Sequence, residues 1–274
     1  MAFRVAITNQ KGGVGKTTTA VNLSACLAMA GKRTLLIDLD PQANATSGFG
    51  FHKDAINKNV YHLLCQDIAV RDVIMKNLYD NLDLIPSKNE LTGAEVELIE
   101  HENREFVLSN ALDEIDSEYD CIVLDCPPAL NLLSLNGLVA ASHVLMPIQC
   151  EYYALEGISQ LVNTVEMVNK NLHHNLEIAG ILLTMADLRT NLSKQVIDEV
   201  RQFFGNRVYN TVIPRNIRLC EAPSFGQPIV HYDPQCTGSK CYLDLTREFI
   251  ERHFGETIVE KKLYRRLLTW LKRP

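Results

Sequence analysis

Short apolar runs alternate with longer stretches of helical periodicity along this 274-residue chain. Phe3 to Thr8 (FRVAIT) predicts a first strand. Thr17 to Met29 predicts a helix, with Gly31 as its C-cap. Arg33 to Asp38 predicts a second strand, and Leu82 to Pro86 a short third. Glu102 to Ile115 has a helical pattern. Tyr119 to Asp125 (YDCIVLD) reads as a fourth strand, stopped by Pro127 and Pro128. His143 to Pro147 is a fifth, followed by a helix over Leu155 to Asn171. Ile178 to Thr184 is a sixth strand, Ser193 to Phe204 a helix, Val208 to Ile213 a seventh strand, and Gly238 to Phe254 a closing helix. The strand runs are continuously apolar rather than alternating, which suits strands buried on both faces. Strands separated by helices imply parallel pairing through right-handed crossovers. The expected fold class is therefore α/β, a doubly wound, mostly parallel sheet with helices on both faces. Ligands are expected at the carboxyl ends of its strands.

One segment gives that sheet a chemistry. Lys11-Gly12-Gly13-Val14-Gly15-Lys16-Thr17-Thr18 follows the first strand and opens the first helix, the context that makes a glycine-rich loop informative. Glycines let backbone N–H groups turn toward phosphate oxygens without side-chain clashes. The helix starting near Lys16 adds its positive dipole end. Lys16 can reach β- and γ-phosphates as a point charge, and Thr17 can ligate Mg²⁺ through its hydroxyl. The usual P-loop pattern is G-x-x-x-x-G-K-[ST]. Here Gln10 occupies the first glycine position, and a second lysine, Lys11, stands at the loop entrance. The chain is thus expected to be a P-loop NTPase that uses ATP/ADP and Mg²⁺.

Three carboxylates complete the candidate site. Asp125 ends an apolar strand, where a carboxylate that holds Mg²⁺ through water belongs; capping the turn before Pro127 is the alternative. Asp38 and Asp40 end the second strand, ahead of Pro41 and Gln42, and so face the ligand crevice. Asp40 could orient the attacking water, with Asp38 serving structure or switching. Each could equally cap the turn that follows.

Composition narrows the remaining classes. Apolar residues make up 46 % and charged residues 22 %, so a large core is available. The net charge of -6 excludes a polycation; any DNA binding must come from a local basic patch or from a multimer. The eight cysteines form no C-x-x-C pair and lie in apolar contexts, so a cytosolic protein with reduced, mostly buried thiols is expected. The longest apolar stretch, 129–148, carries polar residues throughout and reads as a helix followed by a buried strand.

Taken together these residues resemble the ParA/Soj chromosome- and plasmid-partitioning ATPases, within the wider ParA/MinD group with a deviant Walker A loop. The resemblance runs from about Phe3 to Phe254. It is carried by Lys11 to Thr18, Leu36-Ile37-Asp38-Leu39-Asp40-Pro41-Gln42, Leu124-Asp125-Cys126-Pro127-Pro128, Gln149-Cys150-Glu151-Tyr152-Tyr153-Ala154-Leu155-Glu156-Gly157 and Ile213-Pro214-Arg215-Asn216. The last two favour ParA/Soj over MinD. The resemblance implies that Lys11 reaches across an ATP-sandwiched homodimer to the partner's nucleotide, that Gly12 faces the interface, and that Asp40 is needed for hydrolysis. It places Pro214 and Asn216 in a loop that contacts adenine. It also implies non-specific DNA binding by arginines on one surface of the dimer, here Arg189 and Arg218, with salt-sensitive phosphate contacts. A ParB-like partner would stimulate hydrolysis, and the protein would be cytoplasmic and nucleoid-associated. Two alternatives use the same scaffold. One is a membrane-associated spatial regulator of MinD type. The other is a nitrogenase-reductase relative, for which Cys126 is the only candidate cluster ligand and reads instead as a buried thiol.

The carboxyl end departs from the rest. Residues 261–274 (KKLYRRLLTWLKRP) hold six basic side chains and no acidic one, so removing them takes the net charge from -6 to -12. The expected division is an ATPase domain over 1–256 and a basic amphipathic tail over 257–274. Leu263, Tyr264, Leu267, Leu268, Trp270 and Leu271 share one arc at helical spacing. Such a tail could pack on the domain with its basic face solvated, lie on anionic membrane, or add to DNA affinity.

Overall fold

The computed structural model describes residues 1–172 and 174–258. The basic segment 261–274, and with it the three readings of the tail, lies outside the described residues.

Among the described residues, eight strands form one sheet in the order β3-β4-β2-β5-β1-β6-β7-β8. They are β1 (Phe3–Ile7), β2 (Thr34–Asp38), β3 (Met75–Tyr79), β4 (Leu82–Ile85), β5 (Cys121–Asp125), β6 (His143–Gln149), β7 (Glu177–Ala186) and β8 (Val208–Pro214). All pairings are parallel except β3 with β4. The five longest described helices are α1 (Lys16–Met29), α2 (Leu132–Ala140), α3 (Ala154–Leu172), α4 (Asn191–Phe204) and α5 (Thr237–Phe254). They cover both faces of the sheet. Ala20 to Ala30 of α1 and its end, with Tyr242, Leu245 and Phe249 of α5, build one core. Leu133 and Leu138 of α2, Ile158, Leu161 and Val165 of α3, and Val196 and Val200 of α4 build the other.

The doubly wound expectation holds, and two elements correct it. The sequence yields seven strands, and the eighth, β3, is an edge strand antiparallel to β4. Its sequence, MKNLY, keeps two residues exposed and none buried, so it lacks the unbroken apolar run that marks the others. Edge strands tolerate such polar residues because one side meets water. The helix expected over Glu102 to Ile115 is confined to Val107–Asp113, and Asn103 before it takes a left-handed φ of 55° that breaks a helix.

α1 is buried along nearly its whole length, from Thr19 to Met29. Small residues at Ala20, Ser24, Ala25 and Ala28 let it lie close to the sheet and to α5, where the Thr19 and Tyr242 hydroxyls meet at 3.2 Å. β1 lies between β5 and β6. From β1 the chain crosses to β2 on one side, while β6, β7 and β8 step outward on the other. The crevice at that reversal opens at the carboxyl end of β1, where such sheets bind ligands.

Two loops meet backbone to backbone at Gly50 and Gly226. Gly226, left-handed at φ 63°, packs on Gly50, and a Cβ on Gly226 would stand 2.3 Å from the Gly50 Cα. This contact joins the short helix Asn44–Gly48 to the segment Ala222–Phe225.

Candidate functional site

The loop from Thr8 to Gly15 is fixed from both flanks. The Asn9 side-chain amide donates to the Pro147 carbonyl at 2.8 Å, and its Oδ1 accepts the Lys11 N–H at 2.8 Å. Gln10 Nε2 donates to Thr164 Oγ1 at 3.0 Å. The Thr184 hydroxyl donates to the Val14 carbonyl at 2.8 Å. Gly13 and Gly15 take φ of 73° and 90°, the left-handed region in which a side chain is strained. No side chain caps the amino terminus of α1. Its first N–H groups and dipole therefore face the loop, as an anion site requires.

Lys16 is buried, and its ammonium donates to the Lys11 carbonyl at 3.0 Å. Burial lowers its pKa, while Asp125 and Asp40 nearby push it back up. Lys11 points outward. Its ammonium meets Glu151 Oε2 at 3.0 Å, and the other Glu151 oxygen accepts from Gln149 Nε2 at 2.5 Å and lies 3.7 Å from Arg215.

Asp38 and Asp125 end neighbouring strands in register, both fully buried. The Asp38 oxygens are occupied: Oδ2 accepts the Thr46 N–H at 2.8 Å and hydroxyl at 2.7 Å, and Oδ1 the Asp40 N–H at 3.2 Å. Burial raises its pKa to about 6, against the pull of those hydrogen bonds. Among the described residues no donor reaches the Asp125 oxygens in good hydrogen-bond geometry, although the Thr17 hydroxyl stands close by. Burial raises its carboxyl well above the usual range and the Asp38 charge adds to that; the Thr17 hydroxyl and Lys16 oppose them. Thr17 and Lys16 do not offset the burial, and a buried carboxylate so placed is costly unless further positive charge joins it. A hydrated Mg²⁺ beside Thr17 fits that need, so the residues present suit the metal.

Asp40 lies just past β2, with its Oδ1 accepting the Gln42 N–H at 2.9 Å. Cys126, beside Asp125, is 1 % exposed, and burial raises its thiol pKa. That is the buried thiol expected from the sequence. Pro214 ends β8, and the Asn216 side chain accepts the Leu219 N–H at 3.3 Å, capping the short helix Ile217–Glu221. The Arg215 N–H donates to the Ala186 carbonyl at 3.1 Å, which brings this loop to the same end of the sheet as Thr184 and the phosphate loop. Arg189 and Arg218 follow the adjacent strands β7 and β8 at that end. Arg189 pairs with Asp187 at 2.8 Å and holds that carboxyl down at about pKa 2. Arg218 pairs with Glu221 at 2.8 Å and Asp233 at 3.4 Å.

Residues 3–178 match the family described as an AAA domain. The sporulation initiation inhibitor protein Soj of Bacillus subtilis is 56 % identical over 244 residues, spanning 89 % of this chain and 96 % of that protein. The chromosome partitioning protein ParA of Myxococcus xanthus is 51 % identical over 248 residues, spanning 90 % and 88 %. The chain belongs to the ParA/Soj family. This ParA/Soj protein is accordingly a P-loop ATPase of the partitioning class. Among solved structures, cobyrinic acid a,c-diamide synthase from Mycobacterium smegmatis, with bound ADP and magnesium, superposes with a TM-score of 0.80 at 32 % identity, over 94 % of this chain and 98 % of that one. No described helix of the ParA/Soj protein is long and apolar enough to cross a membrane.

Sequence reading gives no role in this ParA/Soj site to Glu151, Asn9, Thr46 or Ser87, among others. Glu151, which holds Lys11, sits inside a motif quoted above without a role. Asn9 precedes the glycine loop, and its double hydrogen bond has no periodic signal. Thr46 and Ser87 lie eight and 49 residues beyond Asp38, and only the parallel pairing of β2 with β4 brings Ser87 near.

Proposed function

We propose that this partitioning ATPase is a nucleotide-controlled dimer. ATP with Mg²⁺ brings two copies together across their phosphate loops, the dimer binds DNA without sequence preference, and hydrolysis stimulated by a ParB-like protein resets it. The observation that carries this reading is the openness of the loop entrance. A Cβ on Gly12 would meet nothing within 4 Å. The Lys11 side chain is 55 % exposed, held by a single surface carboxylate, and Tyr152 and Tyr153 stand exposed beside that carboxylate in sequence. Such a cation, next to a glycine with nothing over it, suits a second copy arriving face to face. An exposed ion pair contributes roughly 0–1 kcal/mol, so Lys11 can be released to a triphosphate at small cost.

Within this reading each residue has a task. Gly12, Gly13, Val14, Gly15 and Thr18 supply backbone around the phosphates, and Lys16 neutralises the β- and γ-oxygens. Thr17 and, through water, Asp125 hold Mg²⁺. Lys11 reaches the partner's nucleotide, Asp40 orients water, and Pro214 and Asn216 flank the base. Arg189 and Arg218 exchange their exposed carboxylate partners for DNA phosphates. Dimerisation doubles the number of such contacts, so affinity should fall steeply with salt. The γ-phosphate and its Mg²⁺ thus act as a switch more than a fuel.

The test is binding to random-sequence duplex with ATP, ADP or no nucleotide at two salt concentrations, for wild type and Arg189→Glu. Tight, salt-sensitive binding only with ATP, lost in the variant, supports the reading. Binding indifferent to nucleotide, or none at all, breaks the link between dimer and DNA.

A further inference from the structure

We propose that Thr46 and Ser87 are positioning residues for hydrolysis, fixing the peptide groups on both sides of the Asp40 side chain. This rests on the role given to Asp40 above. The Asp40 N–H donates to Asp38 Oδ1 at 3.2 Å. Its carbonyl accepts the Ser87 hydroxyl at 2.8 Å and the Ala43 N–H at 2.8 Å. With both flanking peptide planes held, the backbone of Asp40 is fixed, and its side chain is tied by the Gln42 N–H, which donates to Oδ1 at 2.9 Å.

The supporting bonds run in one direction. The Ser87 N–H donates to Thr46 Oγ1 at 2.9 Å. An N–H can only donate, so the Thr46 oxygen accepts there, and its own proton goes to Asp38 Oδ2 at 2.7 Å. The Thr46 N–H reaches the same oxygen at 2.8 Å. Asp38, Thr46 and Ser87 are all fully buried, so water cannot replace a lost partner. The chain of bonds thus runs from β4, through Ser87 and Thr46, to Asp38 at the end of β2, and it closes on Asp40 from both sides. These side chains hydrogen-bond to one another and to Asp40 and make none of the bonds that shape the phosphate loop. Their loss should therefore act on the rate of hydrolysis and leave nucleotide affinity in place.

The experiment compares Thr46→Val, which keeps the shape and removes the hydroxyl, with Thr46→Ser, which keeps the hydroxyl, and with Ser87→Ala. Steady-state ATP hydrolysis with Mg²⁺, ATP affinity and thermal melting are measured for each. The expected result is a kcat about tenfold to a hundredfold lower in Thr46→Val and Ser87→Ala, ATP affinity unchanged within about twofold, and recovery of most of the rate in Thr46→Ser. Ser87→Ala leaves the Thr46–Asp38 bonds in place and carries the test should Thr46→Val not fold. Unchanged kcat in Ser87→Ala overturns the proposal. So does affinity that falls in step with rate, or a Thr46→Ser variant as slow as Thr46→Val. Asp40→Ala separates the two levels. If it hydrolyses ATP like wild type, the role of Asp40 fails and the positioning fails with it. If it is inactive while Ser87→Ala is unimpaired, the positioning alone fails.

Discussion

Asp38 and Asp125 end adjacent strands in register and are equally buried, yet one is fully engaged and the other lacks a well-formed hydrogen bond among the described residues. Asp38 accepts three hydrogen bonds and ties the start of the following short helix to the sheet. Asp125 has only the Thr17 hydroxyl close by, outside good hydrogen-bond geometry. The difference separates two uses of the same side chain at the same depth. A carboxylate whose lone pairs are consumed within the chain is part of the framework. One that folding leaves short of donors has the capacity to take a bound cation, which is the role proposed for Asp125. Position at the carboxyl end of a strand marks both as facing the ligand crevice, and only the partners tell them apart.

The contrast is open to measurement. The largest expected effect is on catalysis: Asp125→Asn should lower Mg²⁺-dependent ATP hydrolysis about 10- to 100-fold, as the loss of a group that orients a metal's ligands does, and a phosphate-release assay across a Mg²⁺ titration reads it. Next comes stability without nucleotide. Asp38→Ala strands the Thr46 and Asp40 donors and should cost about 3 kcal/mol in denaturant unfolding. Asp125→Asn removes a buried carboxylate whose burial outweighs the help of Thr17 and Lys16, and should leave stability unchanged or raise it by about 1 kcal/mol. Equal losses in the two variants would erase the distinction.

A smaller effect concerns pH. Both folded-state pKa values are raised, Asp38 from 3.8 to about 6 and Asp125 well above its usual value. The folded protein therefore binds more protons than the unfolded chain between about pH 4 and 6, and the two carboxyls make it lose stability as pH rises through that window. Melting curves from pH 4.5 to 7 should show a shallower decline in Asp125→Asn than in wild type. The smallest effect is at the surface: Glu151→Ala, which frees Lys11, should change stability by less than about 0.5 kcal/mol. A large loss there would give that exposed pair a structural weight comparable to Asp38.

Much of this was legible in the chain. The seven apolar strands, the glycine loop and the two strand-end aspartates each carry a local signal, because continuous burial and close phosphate approach constrain residue type within a few positions. β3 gave no such signal, since an edge strand half in water needs no apolar run. Nor did Thr46 and Ser87, which matter through hydrogen bonds between segments 41 residues apart. The sequence does not decide between structure and switching for Asp38 for the same reason: its partners are set by the parallel pairing of β2 with β4 and β5, and no spacing in the sequence encodes them. Glu151 stood in a visible motif, but its contact with Lys11 spans 140 positions.

The contact of Gly50 with Gly226 has a consequence for anyone who maps tolerance across this protein by saturation mutagenesis. Both positions should score as intolerant as the phosphate loop itself, because every side chain other than hydrogen meets main chain there, and Gly226 admits the least. A heat map would place them among the nucleotide contacts, though neither belongs to the loop that cradles phosphate. Their intolerance would record the thickness of two backbones, and ligand-binding assays on the variants that still fold would be needed to tell such spacer positions from recognition positions.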